Sequence, residues 1–144
     1  MRFVVTGGAG FVGSHLVQLL LENNHEVIVV DNLHTGKKEN LESVIDKIEF
    51  QKIDIKNHEL MKNVLKNIDG VFHEAALTVV QDSFSNPKEY YDVNVQGTEN
   101  IFKLSIENKF KVVYASSSSV YGHKQKMPIE ENMERKPINP YGQT

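Results

Sequence analysis

Four glycines in seven positions, Gly7-Gly8-Ala9-Gly10-Phe11-Val12-Gly13, follow a short apolar run and precede an amphipathic one. Read from Gly8 the spacing is G-x-G-x-x-G; read from Gly7 it is G-x-x-G-x-x-G. Between a strand and a helix, such a loop makes a tight turn, lets backbone approach a pyrophosphate and allows close helix–strand packing. The helix N-terminus adds free N–H groups and a partial positive charge. Asp31 lies 18 positions after Gly13, near the offset of the acid that holds the ribose hydroxyls of a dinucleotide. A carboxylate there repels a ribose 2′-phosphate, so the expected cofactor is NAD rather than NADP. Asp54-Ile55 is either a border of the adenine site or, through the Asp, a helix N-cap.

The elements that position these residues follow from the apolar pattern. Strands are expected at Arg2–Thr6, Val27–Asp31, Ile48–Asp54, Gly70–His73 and Lys111–Ala115. Helices are expected at Phe11–Asn23, Lys37–Lys47, Asn57–Asn67 and Lys88–Asn108, with Pro87 at the start of the last. The first should bury Phe11, Val12, Leu16, Leu19 and Leu20; the third should turn Leu60, Met61, Val64 and Leu65 inward. Gly122–Asn139, with its prolines and charges, reads as loop, and Tyr141–Thr144 as the first turn of another helix. Strands alternating with helices imply an α/β, Rossmann-type doubly wound parallel sheet of order 3-2-1-4-5, with its switch point between strands 1 and 4.

Composition narrows the class. At 144 residues the chain is about one domain long. With 40% hydrophobic and 24% charged residues it falls among ordinary globular chains rather than disordered ones. The absence of cysteine removes disulfides, thiolate metal sites and cysteine nucleophiles. A net charge of −3 without a Lys/Arg cluster argues against nucleic acid or an anionic membrane as partner. No apolar run approaches a membrane span, and the N-terminal run is too short for a signal peptide, so a cytoplasmic domain is expected. The six histidines show no metal-ligand spacing, and no metal is expected; His73, at a strand end, reads as a packed organiser of backbone.

Further motifs stand in order behind the glycine loop: Asp31-Asn32-Leu33, Asp54-Ile55, His73-Glu74-Ala75-Ala76, Asn94-Val95-Gln96-Gly97-Thr98, Ser116-Ser117-Ser118-Ser119-Val120-Tyr121-Gly122 and Pro140-Tyr141-Gly142. Together they resemble the extended short-chain dehydrogenase/reductase superfamily, in its NAD-dependent sugar-nucleotide epimerase/dehydratase branch, with UDP-glucose 4-epimerases as the nearest likeness. The resemblance implies that Gly7, Gly10 and Gly13, with Phe11 and Val12, hold the pyrophosphate of NAD. It assigns Asp31 and Asn32 to the adenosine ribose, Asp54 and Ile55 to adenine, and Ala75 and Ala76 to the cofactor wall. Asn94 would support the active site from the long helix. Ser117 would hydrogen-bond the sugar hydroxyl being oxidised, and Tyr141 would be the base of a Tyr-x-x-x-Lys motif.

An ordinary phenol titrates at about 10, so a base near neutrality needs a positive neighbour. The motif's Lys belongs at position 145, and the family's smaller C-terminal domain, which binds the nucleotide-sugar, follows it. Residues 1–144 are therefore expected to form the NAD-binding domain, incomplete and truncated before the substrate domain, and to be inactive alone. The implied reaction is 4-epimerisation of a UDP-hexose by transient oxidation at C4. Ser117, Ser118 and Ser119 stand where dehydratase and decarboxylase relatives carry carboxylates, which disfavours elimination and decarboxylation. Leu77-Thr78-Val79-Val80 leaves the UDP-sugar open, with UDP-GlcNAc or UDP-glucuronate as alternatives to UDP-glucose. A catalytically silent dinucleotide-binding module is the alternative of another class. The resemblance also implies a homodimer through the long helix.

Overall fold

The computed structural model describes residues 1–123 and 127–144. Five strands form one parallel sheet in the order β3-β2-β1-β4-β5. They are β1 (Arg2–Thr6), β2 (Glu26–Val30), β3 (Glu49–Gln51), β4 (Gly70–His73) and β5 (Lys111–Tyr114). The helices are α1 (Phe11–Glu22), α2 (His58–Val64), α3 (Val80–Ser85), α4 (Pro87–Tyr90), α5 (Thr98–Asn108) and α6 (Pro140–Gln143). Two 3-10 segments (Lys38–Lys47 and Ser118–Tyr121) and a π-helical segment (Tyr91–Gly97) complete the set among the described residues.

Apolar residues in succession along β1 and β2 feed two cores. Val4, Ile28 and Val30 join Met61, Leu65, Ile101 and Leu104 on one face. Val5, Val27 and Val29 join Ala9, Val17, Leu20 and Leu41 on the other. Successive strand side chains point to opposite faces, so a sheet covered on both sides needs such continuous runs.

Most expected elements shift by one to three residues at an end, and three differences have a structural reason or change the kind of element. β3 ends at Gln51 rather than Asp54 because it is an edge strand paired only with β2, whose ladder ends at Val30 opposite Gln51. The expected helix at Lys37–Lys47 is a 3-10 segment that buries Leu41. The long helix runs from Pro87 to Asn108 but changes to π geometry between Tyr91 and Gly97.

The buried face of α1 also differs from expectation. Gly13, Ser14, Val17 and Leu20 are inside, whereas Phe11, Val12 and Leu19 are exposed. The helix is apolar around much of its circumference, and the phase is set by Gly13, which sits against the Gly7 carbonyl. In α2, Met61 is buried and Leu65 follows it inside, while Leu60 is exposed. α3 had no counterpart among the expected helices. The expected loop Gly122–Asn139 is irregular where described, and its residues 124–126 lie outside the described residues. No helix among the described residues is long and apolar enough to cross a membrane.

Ile101 and Ile106 share α5, but Ile101 is fully buried and Ile106 is 78% exposed. Ile101→Ala should cost about 2–5 kcal/mol of unfolding free energy. Ile106→Ala should stay within about 0.5 kcal/mol of the parent. Urea unfolding followed by circular dichroism reads both; equal losses would contradict this placement of the core.

Candidate functional site: a cleft at the sheet switch point

The chain leaves β1 at Thr6 and turns at Gly7, which has φ +68° and donates its N–H to the Val30 carbonyl at 2.8 Å. A Cβ on Gly7 would lie 2.7 Å from the Ala75 nitrogen, and one on Gly13 would collide with the Gly7 carbonyl. Three backbone segments thus meet where no side chain fits. Gly10 closes the turn through its N–H to the Gly7 carbonyl at 3.0 Å and then serves as N-cap of α1 without a side-chain cap. The first-turn N–H groups of Phe11, Val12 and Gly13 therefore lack an acceptor within the helix. Phe11 and Val12, exposed in the fold, line the cleft at this end. The space a Cβ would fill and the uncapped helix end suit the pyrophosphate of a dinucleotide.

Asp31 follows β2 and is buried. One carboxylate oxygen accepts the Ala9 N–H at 3.0 Å and the other the Leu33 N–H at 2.7 Å. A Cβ on Gly36 would lie 2.8 Å from both oxygens. Asp31 thus braces the glycine loop as well as lining the cleft, a second task that its spacing did not reveal. The Ala9 carbonyl accepts from the Lys37 N–H at 2.9 Å and the Asn40 amide at 2.8 Å, folding the chain after β2 over the loop. Asn32 donates to Asp54 at 3.3 Å, and Asp54 pairs with Lys56 at 3.7 Å. Asp54 and Ile55 border the same hollow as Asp31 and Asn32.

At the end of β4, His73 is buried between two threonines. Its Nδ1 lies 2.6 Å from Thr6 Oγ1 and its Nε2 2.8 Å from Thr98 Oγ1. Thr6 Oγ1 also accepts the Ala75 N–H at 3.3 Å. The chain of bonds joins β1, β4 and α5 and fixes the backbone that faces Gly7. Burial lowers the His73 pKa from 6.5 to about 4, so the ring is neutral at pH 7. Burial also raises the pKa of the neighbouring Glu74 carboxyl.

The cleft consists of two adjoining hollows that share Gly7, Gly10, Thr35, Glu74, Ala75 and Ala76. One runs toward Asp31 and Asp54; the other runs toward Ser117 and Tyr141. It therefore crosses the carboxyl ends of β1 and β4, the point where the strand order reverses. Asn94 lies in the π segment and lines the second hollow. Its amide accepts the Leu77 N–H at 2.8 Å and donates to the Leu77 carbonyl at 2.9 Å and Thr144 Oγ1 at 3.1 Å. Asn94 thereby ties the strand-4 loop to α6. Ser117 Oγ accepts the Ser119 N–H at 3.2 Å, capping the 3-10 segment, and its hydroxyl hydrogen is free to donate elsewhere. Residues that sequence reasoning passed over include Tyr114, which lines the cleft, and Thr144, which joins Asn94.

The family model for the NAD dependent epimerase/dehydratase family matches residues 3–144, and the chain belongs to that family. It is 40% identical over 147 aligned positions to UDP-glucose 4-epimerase of Halalkalibacterium halodurans, covering all of this chain and 43% of that protein. Among solved structures, the UDP-glucose 4-epimerase of Thermus thermophilus in complex with NAD superposes with a TM-score of 0.91 at 35% identity. That match covers 99% of this chain and 47% of the other. The UDP-Glc/GlcNAc 4-epimerase of Campylobacter jejuni superposes with a TM-score of 0.94 at 31% identity, covering 99% and 45%. The chain thus spans less than half the length of these relatives.

The lowered His73 pKa has a direct consequence for stability. Above pH 6.5 the ring is neutral in both folded and unfolded chains; as pH falls from 6.5 toward 4 the unfolded chain takes up the proton first. Stability is therefore lost across that window. Between pH 6 and 5 the parent should lose about 1 kcal/mol more than His73→Gln, whose side chain does not titrate. Urea midpoints at the two pH values measure this, and parallel losses in both proteins would contradict it.

Proposed function

We propose that residues 1–144 hold NAD in the switch-point cleft as the cofactor-binding part of a UDP-hexose 4-epimerase. The observation that carries the reading is the continuity of the cleft, from Asp31 past the glycine cradle to Ser117 and Tyr141. Gly7, Gly10 and Gly13 would face the pyrophosphate, with the N–H groups of Phe11 and Val12 as donors. Asp31 and Asn32 would take the adenosine ribose, Asp54 and Ile55 the adenine. Ala75, held by Thr6, and Ala76 would form the wall opposite the glycine loop. When bound, NAD supplies the acceptor for a hydride from C4 of the sugar.

The chain's own part in the chemistry is proton handling and orientation. The Tyr141 phenol would take the proton from the sugar 4-hydroxyl and later return it. Ser117, with its acceptor side engaged by the Ser119 N–H, would donate its hydroxyl hydrogen to the same sugar oxygen. The serines at 117–119 supply no carboxylate for elimination, which favours epimerisation over dehydration. The names of the relatives support a UDP-sugar as substrate, and the Campylobacter jejuni protein extends the choice to UDP-GlcNAc. Asn94 would act as a support of the cleft, since its amide is committed to Leu77 and Thr144. Exposed Tyr91, Phe102 and Ile106 on the π segment and α5 would form the surface through which two copies pair.

Two outcomes test the reading. NAD should bind at least about tenfold more tightly than NADP, a difference of about 1.4 kcal/mol. Asp31→Asn, which removes the charge but keeps an acceptor for the loop, should narrow that ratio; equal affinities in the parent would contradict the assignment of Asp31. In the polypeptide at its full natural length, loaded with NAD, UDP-galactose should be converted to UDP-glucose. Tyr141→Phe should lower that turnover by at least about a hundredfold, since Phe keeps the ring and loses the group that carries the proton. Binding of NAD with no turnover of any UDP-hexose would favour a silent binding module.

A further inference from the structure

α3 escaped sequence reasoning, yet it carries a contact that fixes Tyr141. Ser83 is fully buried and lines neither hollow of the cleft. Its Oγ donates to the Val80 carbonyl at 2.6 Å and accepts the N–H of Tyr141 at 3.1 Å, across 58 positions of sequence. Tyr141 is the second residue of α6, after Pro140, so its N–H has no acceptor within the helix. The next N–H, that of Gly142, goes to Asn139 Oδ1 at 2.7 Å, a local cap that moves with the helix. Ser83 belongs to a different element. Its bond therefore sets where the start of α6 stands relative to the cleft.

The platform behind Ser83 is itself held. The Ser83 N–H donates to the Val79 carbonyl at 3.1 Å, and that carbonyl also accepts the hydroxyl of buried Tyr90 at 2.7 Å. The Tyr90 ring meets the Tyr141 ring edge-on, with centroids 6.5 Å apart. Thr144, at the other end of α6, is bonded to Asn94. α6 is thus tied at its first turn through Ser83 and at its end through Asn94, with its aromatic ring against Tyr90.

We infer that Ser83 is a positioning residue for Tyr141: it touches neither substrate nor cofactor and acts by holding the backbone from which the phenol projects. This rests on the reading of Tyr141 as the proton-transferring group. Misplacement of a reacting group by about 1 Å can cost about a hundredfold in rate. Ser83→Ala removes the acceptor and leaves the Tyr141 N–H without its partner.

The test uses the polypeptide at its full natural length, loaded with NAD, with UDP-galactose as substrate and rates counted per NAD-loaded site. Ser83→Ala should lower kcat by about ten- to a hundredfold, with KM and NAD affinity within about twofold of the parent. Ser83→Cys, which keeps the volume and a weak hydrogen-bonding group, should fall between the two and serves if the alanine variant does not fold. In a Tyr141→Phe background, Ser83→Ala should cause no further loss, because the group it positions is gone. Unchanged kcat per loaded site in the alanine variant, or in the cysteine variant if only that one folds, would overturn the inference. So would a loss that multiplies with that of Tyr141→Phe. Full activity in Tyr141→Phe alone would overturn both this inference and the reading beneath it.

Discussion

The close approach of three backbone segments at Gly7, Gly13 and Ala75 governs the rest of the molecule. Gly7 turns the chain out of β1 with a positive φ, Gly13 brings α1 onto that turn, and Ala75 brings the end of β4 against it. Neither contact, Gly7 against Ala75 or Gly13 against Gly7, tolerates an added side chain at the glycine without a shift of backbone. The geometry is therefore a property of glycine itself, and it places the uncapped N-terminus of α1 over the point where the sheet reverses its order. An anion can approach there because nothing else fills the space.

Such a junction is costly to leave loose, and polar bonds hold it from both sides. Asp31 grips Ala9 from the β2 side. Thr6 grips Ala75 from the β4 side, backed by His73 and Thr98. The histidine is neutral and nearly out of water, where a satisfied hydrogen bond is worth most and an unsatisfied one costs most. Further out, the same principle recurs at Asn94, whose amide pairs with both backbone groups of Leu77 and with Thr144. The cleft is thus framed by backbone that hydrogen bonds hold in place.

Much of this was legible in the residues. The continuous apolar runs Phe3–Val5 and Val27–Val30 announce strands buried on two faces, and the observed sheet order is the expected one. The glycine spacing and Asp31 located the cleft, because close backbone approach and a strand-end acid leave a local mark. What stayed hidden depends on tertiary context. The apolar circumference of α1 does not reveal which side faces the sheet: its periodicity points Phe11 and Val12 into the core, whereas both are exposed and border the cleft, the side to which the family resemblance assigns them. The six residues of α3 lack a helical apolar stripe long enough to recognise, and the bond from Ser83 to Tyr141 spans 58 positions. The π turn around Asn94 leaves no periodic signature at all. Local chemistry could be read from sequence; the polar ties between distant elements could not.

Titration of residues 1–144 with NAD by calorimetry, in the parent and in Gly13→Ala, addresses the central claim most directly. One molecule of NAD should bind per chain in the parent. The added methyl group collides with the Gly7 carbonyl, so Gly13→Ala should keep the far-ultraviolet spectrum of the fold and lose at least about tenfold in affinity. Undiminished binding by Gly13→Ala, or no saturable binding by the folded parent, would contradict the account of this junction as the cofactor cradle.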